Sequence, residues 1–189
     1  MLMTGEYQRE HALAYARRWA LSRNPLFYNF TEVGGDCTNF VSQCVLAGCC
    51  VMNGTPDFGW YYRSADDRAP AFTGVEFFWD FFTGAPEFLQ NNGGIGPYGR
   101  EVGMREMQAA DVVQLGREDG SFYHTLFVID RTERELYVAA HSNDVYDRPL
   151  SSYNAPRVRY LHIEGVRFEV PLSQCFENLI TGSALPAPF

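Results

Sequence analysis

The sequence predicts an α+β fold, with helices from the first half of the chain packed on an antiparallel sheet from the second half. Apolar residues recur at helical spacing in residues 5–22 and again after Cys37. From residue 111 onward, runs rich in aromatic and β-branched residues are separated by short turns, as in antiparallel strands. Helices and strands that are segregated along the chain define the α+β class. The length of 189 residues is that of one domain with a sizeable core.

Three helices are predicted in the first half. The first covers residues 5–22 and ends before Asn24-Pro25, because the residue before a proline disfavours helical angles. The second begins near Cys37 and stops at Ala47-Gly48. The third follows the capping-box pattern Thr73-x-x-Glu76, and its continuous apolar run predicts a helix that is buried nearly all round. The loops are predicted at residues 51–72 and 91–100.

The second half predicts four strands, at residues 111–115, 122–130, 135–141 and 157–163. A single domain is expected over residues 1–189, with its core at about 5–163. The remaining residues, 164–189, include Pro171 and the proline-containing C-terminal end, and they are expected to pack as a tail.

The most informative segment of the chain runs from Gly34-Gly35 through Asp36-Cys37 into an apolar helical pattern. It places Cys37 in the first turn of a helix, which either Asp36 or Thr38 would cap. Unpaired backbone N–H groups and the positive end of the helix dipole favour thiolate at such a position. Since the thiolate is the nucleophile, Cys37 is the candidate catalytic residue.

A nucleophilic cysteine needs a base, and the chain has four histidines: His11, His124, His141 and His162. His11 falls in the first helix, whereas the other three fall on predicted strands. A cysteine on a helix followed by histidines on later strands is the order found in Cys–His hydrolases. A buried structural cysteine with hydrogen-bonded histidines is the alternative interpretation.

A wider set of motifs supports the catalytic interpretation. These motifs are Tyr7-x-Arg9-x-x-Ala12-x-x-Tyr15-Ala16, Asn24-Pro25, Gly35-Asp36-Cys37-Thr38-Asn39-Phe40-Val41-Ser42-Gln43, Trp60-Tyr61-Tyr62, Thr73-Gly74-Val75, Asp111-Val112-Val113-Gln114, His124 and His141-Ser142. With them the chain resembles the bacterial putative amidase domain family, a papain-like family related to the NlpC-type and CHAP cysteine amidases and peptidases. The block around Cys37 is its most specific element.

The resemblance implies a papain-like/NlpC-like fold and a catalytic set of Cys37, His124 and His141. In this arrangement His124 is the base, and His141 on the following strand orients its ring. Asn143 and Asp144 are the alternatives for the third residue, since papain-like enzymes often use a side-chain amide there.

Three further residues are candidates for substrate binding. In NlpC-type enzymes the aspartate that matches Asp36 holds a substrate ammonium group, although a helix cap is an equal alternative for it. Trp60 and Tyr61 either line the cleft or cover the core. The oxyanion hole is expected to use the Cys37 backbone N–H and a second donor near Tyr28 or Asn29.

These residues predict a cysteine amidase or peptidase that cleaves an amide bond through a thioester on Cys37, with a peptide or simple amide as substrate. Cell-wall peptides are the favoured substrate class by analogy with NlpC-type enzymes. Two alternatives remain open: a catalytically silent binding module of the same fold, and an acyltransferase that uses the same thioester. No cofactor is expected.

Composition narrows the possible partners and compartments. The net charge of −8 argues against nucleic-acid binding, and no apolar run approaches the roughly 20 residues that span a bilayer. No signal peptide is predicted in the chain, so it is expected to be cytoplasmic or a domain cut from a longer exported protein. The five cysteines leave at least one thiol free, and their spacing does not match a paired metal site.

Overall fold

The computed structural model describes residues 1–170 and 174–187. Its helices are α1 (Arg9–Trp19), α2 (Cys37–Cys49), α3 (Pro70–Thr73), α4 (Val75–Thr83), α5 (Pro86–Asn92) and α6 (Phe176–Thr181). Its strands are β1 (Met3–Gly5), β2 (Gly96–Val102), β3 (Val112–Gly116), β4 (Phe122–Arg131), β5 (Leu136–Ala140), β6 (Val145–Pro149) and β7 (Arg157–Phe168). Short 3₁₀ turns lie at Met104–Glu106 and Leu150–Ser152.

The strands form one antiparallel sheet in the order β1-β7-β3-β4-β5-β6, with β2 also paired to β7. The fold class predicted from the sequence, α+β, is therefore confirmed. All four predicted strands are present as β3, β4, β5 and β7. β7 continues to Phe168, so the first part of the predicted tail belongs to the sheet. The parts of the predicted tail at residues 171–173 and 188–189 lie outside the described residues.

Three strands were not predicted: β1, β2 and β6. β2 has the sequence Gly-Pro-Tyr-Gly-Arg-Glu-Val, whose glycines and proline are typical of a loop. The pairing of β2 with β7 explains why residue 99 is a glycine, since a Cβ at Gly99 would lie 2.3 Å from the carbonyl oxygen of His162. Such a requirement depends on the facing strand and cannot be recognised from local sequence.

The three predicted helices differ from the structure mainly at their ends, and α3, α5 and α6 were not predicted. α2 ends at Cys49, with Cys50 in the left-handed conformation. Gly48 lies inside the helix and does not end it. The position is a glycine because Tyr7 packs against it and leaves no room for a side chain. The predicted capping box is wrong: Gly74 precedes α4, and Glu76 instead accepts a hydrogen bond from the Phe122 N–H. α4 is not buried all round, because Phe77 is 51% exposed.

The sheet separates two apolar clusters. One lies between the helices and the sheet and includes Phe40 of α2 and Phe127 of β4. The other lies on the opposite face and includes Leu126 and Val128 of β4. Because side chains alternate along a strand, Thr125 faces α2 with Phe127, whereas His124 shares the opposite face with Leu126. This alternation decides where each candidate site residue points.

The C-terminal segment is anchored to the end of α2. A disulfide joins Cys50 to Cys175, whose Cα atoms are 5.5 Å apart. Beyond it, Phe176 stacks on His11 of α1 with ring centroids 4.0 Å apart. The sequence analysis proposed no partner for any of the cysteines. The partner of Cys50, 125 residues away, is not deducible from spacing.

Candidate active site

Cys37 is the first residue of α2, as the sequence predicts, and it is nearly buried. Gly34 and Gly35 both have positive φ, and they turn the chain directly before the helix. The sulfur lies 3.9 Å from Thr38 Oγ1 and interacts with the backbone N–H groups of Thr125, Thr38 and Cys37 itself. It therefore contacts strand β4 at Thr125, the residue that follows His124.

The thiol differs from the prediction in its acidity. Burial raises the pKa of Cys37 above its ordinary value, while the hydrogen bonds from the Thr125 N–H and from Thr38 act in the opposite direction. Desolvation thus outweighs the effect of the helix N-terminus in this closed arrangement. The resting side chain is a thiol that needs a base to become nucleophilic.

Asp36 is not a surface group for a substrate ammonium, because its side chain is fully buried. Oδ1 accepts hydrogen bonds from the Phe30 N–H and from Asn39 Nδ2, at 3.0 and 2.9 Å. Oδ2 contacts His141 Nδ1 at 2.7 Å and Arg23 Nε at 3.2 Å. Asp36 occupies the N-cap position of α2 without making a side-chain capping bond. Its carboxylate instead holds the loop before Cys37 against the neighbouring elements.

His141 has a different neighbour from the predicted one. The sequence analysis expected it to orient His124, but Nδ1 contacts Asp36 and Nε2 lies 3.0 Å from the carbonyl oxygen of Trp19. Both partners are acceptors, so both bonds form only when the ring is doubly protonated. The ring also stacks on Phe40, one turn after Cys37, with centroids 4.1 Å apart. With both nitrogens occupied, His141 supports the loop that precedes Cys37.

The two alternatives for the third residue are also placed away from His124. Asp144 forms a bidentate pair with Arg23, whose Nη1 and Nη2 lie 2.8 and 2.9 Å from its carboxylate. Asn143 is exposed and has a φ of 144°. The neighbouring Ser142, which the sequence analysis named only as part of a motif, accepts a 2.6 Å hydrogen bond from the Asp36 N–H. This loop braces the turn before Cys37.

His124 is half-buried on the sheet face opposite α2. Its ring centroid is 6.1 Å from that of Tyr153. Burial, with a smaller contribution from the charge of Arg148, lowers the pKa of His124 to about 4. Within residues 1–170 and 174–187 the structure shows no hydrogen bond between His124 and Cys37. Their backbones are adjacent, however, because the amide that follows His124 is the one that reaches the sulfur.

Trp60 and Tyr61 do not line a cleft. Trp60 is fully buried, and its Nε1–H donates to Ser42 Oγ at 3.1 Å. Tyr61 is nearly buried beneath the guanidinium of Arg63, 5.0 Å from the ring centroid. Both belong to the cluster between the helices and the sheet, so their assignment to substrate binding is corrected to core.

Sequence reasoning also missed a buried polar chain that joins α2 to the sheet. Thr38 Oγ1 and Thr125 Oγ1 are 2.8 Å apart, and Gln114 Nε2 donates to Thr125 Oγ1 at 3.2 Å. All three side chains are fully buried. The sequence does contain a signal for this chain, because polar residues occupy positions on the apolar face of two neighbouring strands. The chain fixes the tip of α2 against β4, next to His124.

Two general features complete the description of the site. In the part of the chain that the structure describes, no group of three or more His, Cys, Asp or Glu side chains is arranged to hold a metal ion. Among the same residues, no helix has the length and apolarity to cross a bilayer.

The fold and the site together define an α+β domain with a cysteine at the tip of a helix buried against an antiparallel sheet. The chain belongs to the family described as "Putative amidase domain", whose model matches residues 6–163. The matched range contains Cys37 and His124 and extends through most of the sheet. The family description suggests hydrolysis of amide bonds.

The chain is also similar to the uncharacterized protein YhbB of Bacillus subtilis, with 30% identity over 134 residues. The similarity covers 69% of this chain and only 40% of that relative. The comparison with solved structures found no significant match.

Proposed function

We propose that this domain is a cysteine amidase in which Cys37 is the nucleophile and His124 the general base. The observation that carries the proposal is the contact between the Cys37 sulfur and the β4 backbone at Thr125. It puts a thiol at a helix N-terminus beside the strand residue that bears an imidazole. The family's suggested amide hydrolysis requires a nucleophile and a proton carrier, and these two residues supply both.

The reaction follows from the properties of the two side chains. Burial lowers the pKa of His124 to about 4, so the ring is neutral near pH 7 and takes up the Cys37 proton only where its surroundings stabilise the imidazolium. For this transfer the β4 backbone around His124 must rearrange so that the ring leaves the Tyr153 side of the sheet and reaches the sulfur, because rotation about the side-chain bonds alone does not carry a residue to the other face of a strand. The thiolate then attacks the amide carbon, and His124 protonates the departing amine. Water attacks the resulting thioester, which releases the acid and restores the thiol.

The tetrahedral intermediates need donors for their oxyanion. The backbone N–H groups of Cys37 and Thr38 lie in the first turn of α2, where helical N–H groups lack an intrahelical partner. They are positioned at the sulfur and are therefore the candidate oxyanion donors. Their use replaces the earlier expectation of a donor near Tyr28 or Asn29.

The papain-like/NlpC-like relationship and the cell-wall substrate are also part of the proposal. The order of a helix-tip cysteine followed by a histidine on a strand of an antiparallel sheet supports the relationship. The burial of Asp36 removes the argument that a substrate ammonium binds there. Without that argument, peptides from the cell wall are favoured as substrates by analogy with NlpC-type enzymes alone.

One observation favours a second candidate, a silent binding module of the same fold. The structure shows a thiol with a raised pKa that is not hydrogen-bonded to an imidazole among the described residues. A module that only binds peptides would keep this arrangement on binding, whereas an amidase must change it.

The deciding experiment follows amine release from cell-wall peptides and simple aminoacyl amides. We expect activity that survives EDTA and is lost in both Cys37→Ala and His124→Ala. Cys49→Ala, which changes another buried free thiol, is the matched control and should keep its activity. Trapping of an acyl group on Cys37 would identify the thioester. Activity that persists in Cys37→Ala would rule out the nucleophile, and binding without turnover would favour the silent module.

A further inference from the structure

Residues 175–182, the α6 arm, pack on α1. A disulfide ties the first residue of the arm, Cys175, to Cys50, which follows α2 directly. The next residue, Phe176, stacks on His11 in the first turn of α1, with ring centroids 4.0 Å apart. The arm is thus fixed at this end by a covalent bond and by a ring contact.

The other end of the arm holds the end of α1 and the segment after it. The carbonyl oxygen of Ile180 accepts a 3.2 Å hydrogen bond from Trp19 Nε1, and that of Leu179 accepts a 2.8 Å bond from Asn24 Nδ2. Trp19, Asn24 and Leu179 are all buried. Because the backbone of the arm supplies both acceptors, these bonds are lost if the arm moves away. The position of Trp19 therefore depends on the arm.

Trp19 connects the arm to the loop before Cys37. Its carbonyl oxygen lies 3.0 Å from Nε2 of His141, whose Nδ1 contacts Asp36 Oδ2 at 2.7 Å. Asp36 directly precedes Cys37 and is fully buried. A displacement of Trp19 removes one of the two partners of the His141 ring, and the other partner is the residue next to the thiol. A continuous series of contacts thus runs from the disulfide to the loop before Cys37.

The disulfide borders a cavity of about 450 Å³ between α1, the end of α2 and the arm, which gives a reductant a route to the sulfurs. The Cys175 N–H donates a 3.2 Å hydrogen bond to Cys50 Sγ and favours negative charge on that sulfur. A thiolate of a dithiol reductant therefore attacks Cys175 Sγ, and Cys50 leaves as a thiolate.

The second thiol of the reductant completes the exchange. It attacks the mixed disulfide on Cys175 and releases that sulfur, so the dithiol itself becomes a disulfide. The dithiol supplies the two electrons that break the Cys50–Cys175 bond, and its two protons balance those that the two cysteine sulfurs take up.

We propose that the Cys50–Cys175 disulfide is a redox-sensitive latch on the Cys37 thiol. When a dithiol opens it, the α6 arm leaves Trp19 and the loop before Cys37 loosens. The arm follows the residues 6–163 that the family model matches, so the latch is not part of the matched core. Disulfides persist in oxidising surroundings, where the latch is closed. Only the effect of the latch on amide hydrolysis rests on the proposed function.

The first test compares alkylation of Cys37 by iodoacetamide in the oxidised chain and after reduction by dithiothreitol, which is removed before labelling. We expect the reduced chain to react about fivefold faster or more, because a loosened loop exposes a thiol that is otherwise nearly buried. Mass spectrometry distinguishes the label on Cys37 from labels on the two released thiols. Cys44, fully buried within α2, is the internal control and should stay unlabelled.

Two variants test the route from the disulfide to the loop. Cys50→Ser/Cys175→Ser should label at the rate of the reduced chain, with or without dithiothreitol. Trp19→Phe keeps the disulfide but loses the bond to the arm, so it should reduce the effect of dithiothreitol to less than about half. Trp79→Phe, on α4 away from the arm, is the matched control and should keep the full effect. If the double variant does not fold, the oxidised and reduced forms of the unchanged chain still decide the question.

The outcomes distinguish the latch from an anchor and from the amidase proposal. Equal labelling of Cys37 in the oxidised and reduced chains would show that the disulfide is only an anchor. The latch is also wrong if Cys44 is labelled together with Cys37, because reduction then unfolds the domain.

Amide hydrolysis provides the second readout. In an active chain, reduction should lower kcat/KM about fivefold or more, and reoxidation should restore it. Labelling that responds to reduction in a chain without amidase activity would support the latch and count against the amidase. Activity with labelling that does not respond to reduction would support the amidase and rule out the latch.

Discussion

Two buried clusters of the same composition lie near the two ends of α1, and one of them adjoins the loop before Cys37. Near the C-terminal end, Asp36 contacts His141 and Arg23; at the N-terminal end, Asp111 contacts His162 and Arg9. Both carboxylates are fully buried and both also accept backbone N–H groups. Each aspartate is thus stabilised by a cation and by hydrogen bonds, as a buried charge requires.

The second cluster is a structural brace. Arg9 donates to the carbonyl oxygens of Ala109 and Ile163 at 2.7 and 2.6 Å, and Asp111 accepts the Ile163 N–H at 3.0 Å. It joins α1 to the segment before β3 and to β7, and in residues 1–170 and 174–187 none of its hydrogen bonds or ion pairs involves a cysteine. The comparison shows that an Asp–His–Arg cluster is no sign of catalysis by itself. The cluster of Asp36 likewise has a structural role, which is to hold the loop before Cys37 in place.

The largest effect is expected from removing either buried carboxylate charge. Asp36→Asn and Asp111→Asn should each lower the free energy of unfolding by about 3–5 kcal/mol, because the change leaves buried cations without their partner. Denaturant titration measures this loss. Asp36→Asn should also change the alkylation rate of Cys37, whereas Asp111→Asn, the matched control, should not. Equal alkylation rates in the two variants would show that the two clusters do not differ in their effect on Cys37.

His124 differs from the other two imidazoles. The charged group near it is the cation Arg148, whereas the other two contact carboxylates. The pKa of His124 is lowered from 6.5 to about 4, so between these values the unfolded chain binds a proton that the folded chain does not. Stability should therefore fall as the pH drops from about 7 to 4, by up to about 3 kcal/mol from this residue. His124→Gln should remove this part of the slope. A pH profile of unfolding that is the same with and without His124 would contradict the assignment.

The two paired histidines should differ in their contribution to stability. His141 is 1% exposed and both of its ring nitrogens lie within hydrogen-bond distance of an oxygen, while His162 is 17% exposed. His141→Gln should cost about 1.5–3 kcal/mol, the range for hydrogen bonds to charged groups, and His162→Gln about 1 kcal/mol. Thermal and denaturant unfolding measure both. If the amidase is active, His141→Gln should reduce its rate without abolishing it, because the residue acts only through the loop before Cys37.

The sequence predicted the parts of the site that depend on local pattern. Cys37 begins a helix because a Gly-Gly turn precedes an apolar helical repeat, and β4 was recognisable from its aromatic and β-branched residues. Strand alternation could also have predicted which residue of β4 faces α2. Polar Thr125 shares a face with apolar Phe127, which indicates that Thr125, and not His124, faces the helix.

The remaining contacts depend on pairing between distant segments. The partners of His141 are Asp36, 105 residues earlier, and the carbonyl oxygen of Trp19, 122 residues earlier. An irregularity in the β5–β6 register lies between Val138 and Ala140, directly before this histidine, so strand position alone does not fix its direction. The disulfide and strand β2 are set by long-range contacts in the same way.

The smallest effect is expected from the hydroxyl pair that joins α2 to β4. Thr125→Val keeps the shape of the side chain but leaves Thr38 and Gln114 without a shared partner, which should cost about 1 kcal/mol. The double variant Thr38→Val/Thr125→Val removes both hydroxyls, so its stability should lie closer to that of the unchanged chain than the sum of the single variants predicts. The Thr125 backbone N–H still reaches the Cys37 sulfur in both variants, so alkylation of Cys37 should change less than threefold, well below the effect of Asp36→Asn. A larger change would show that the hydroxyl chain, and not the cluster of Asp36, positions the Cys37 thiol.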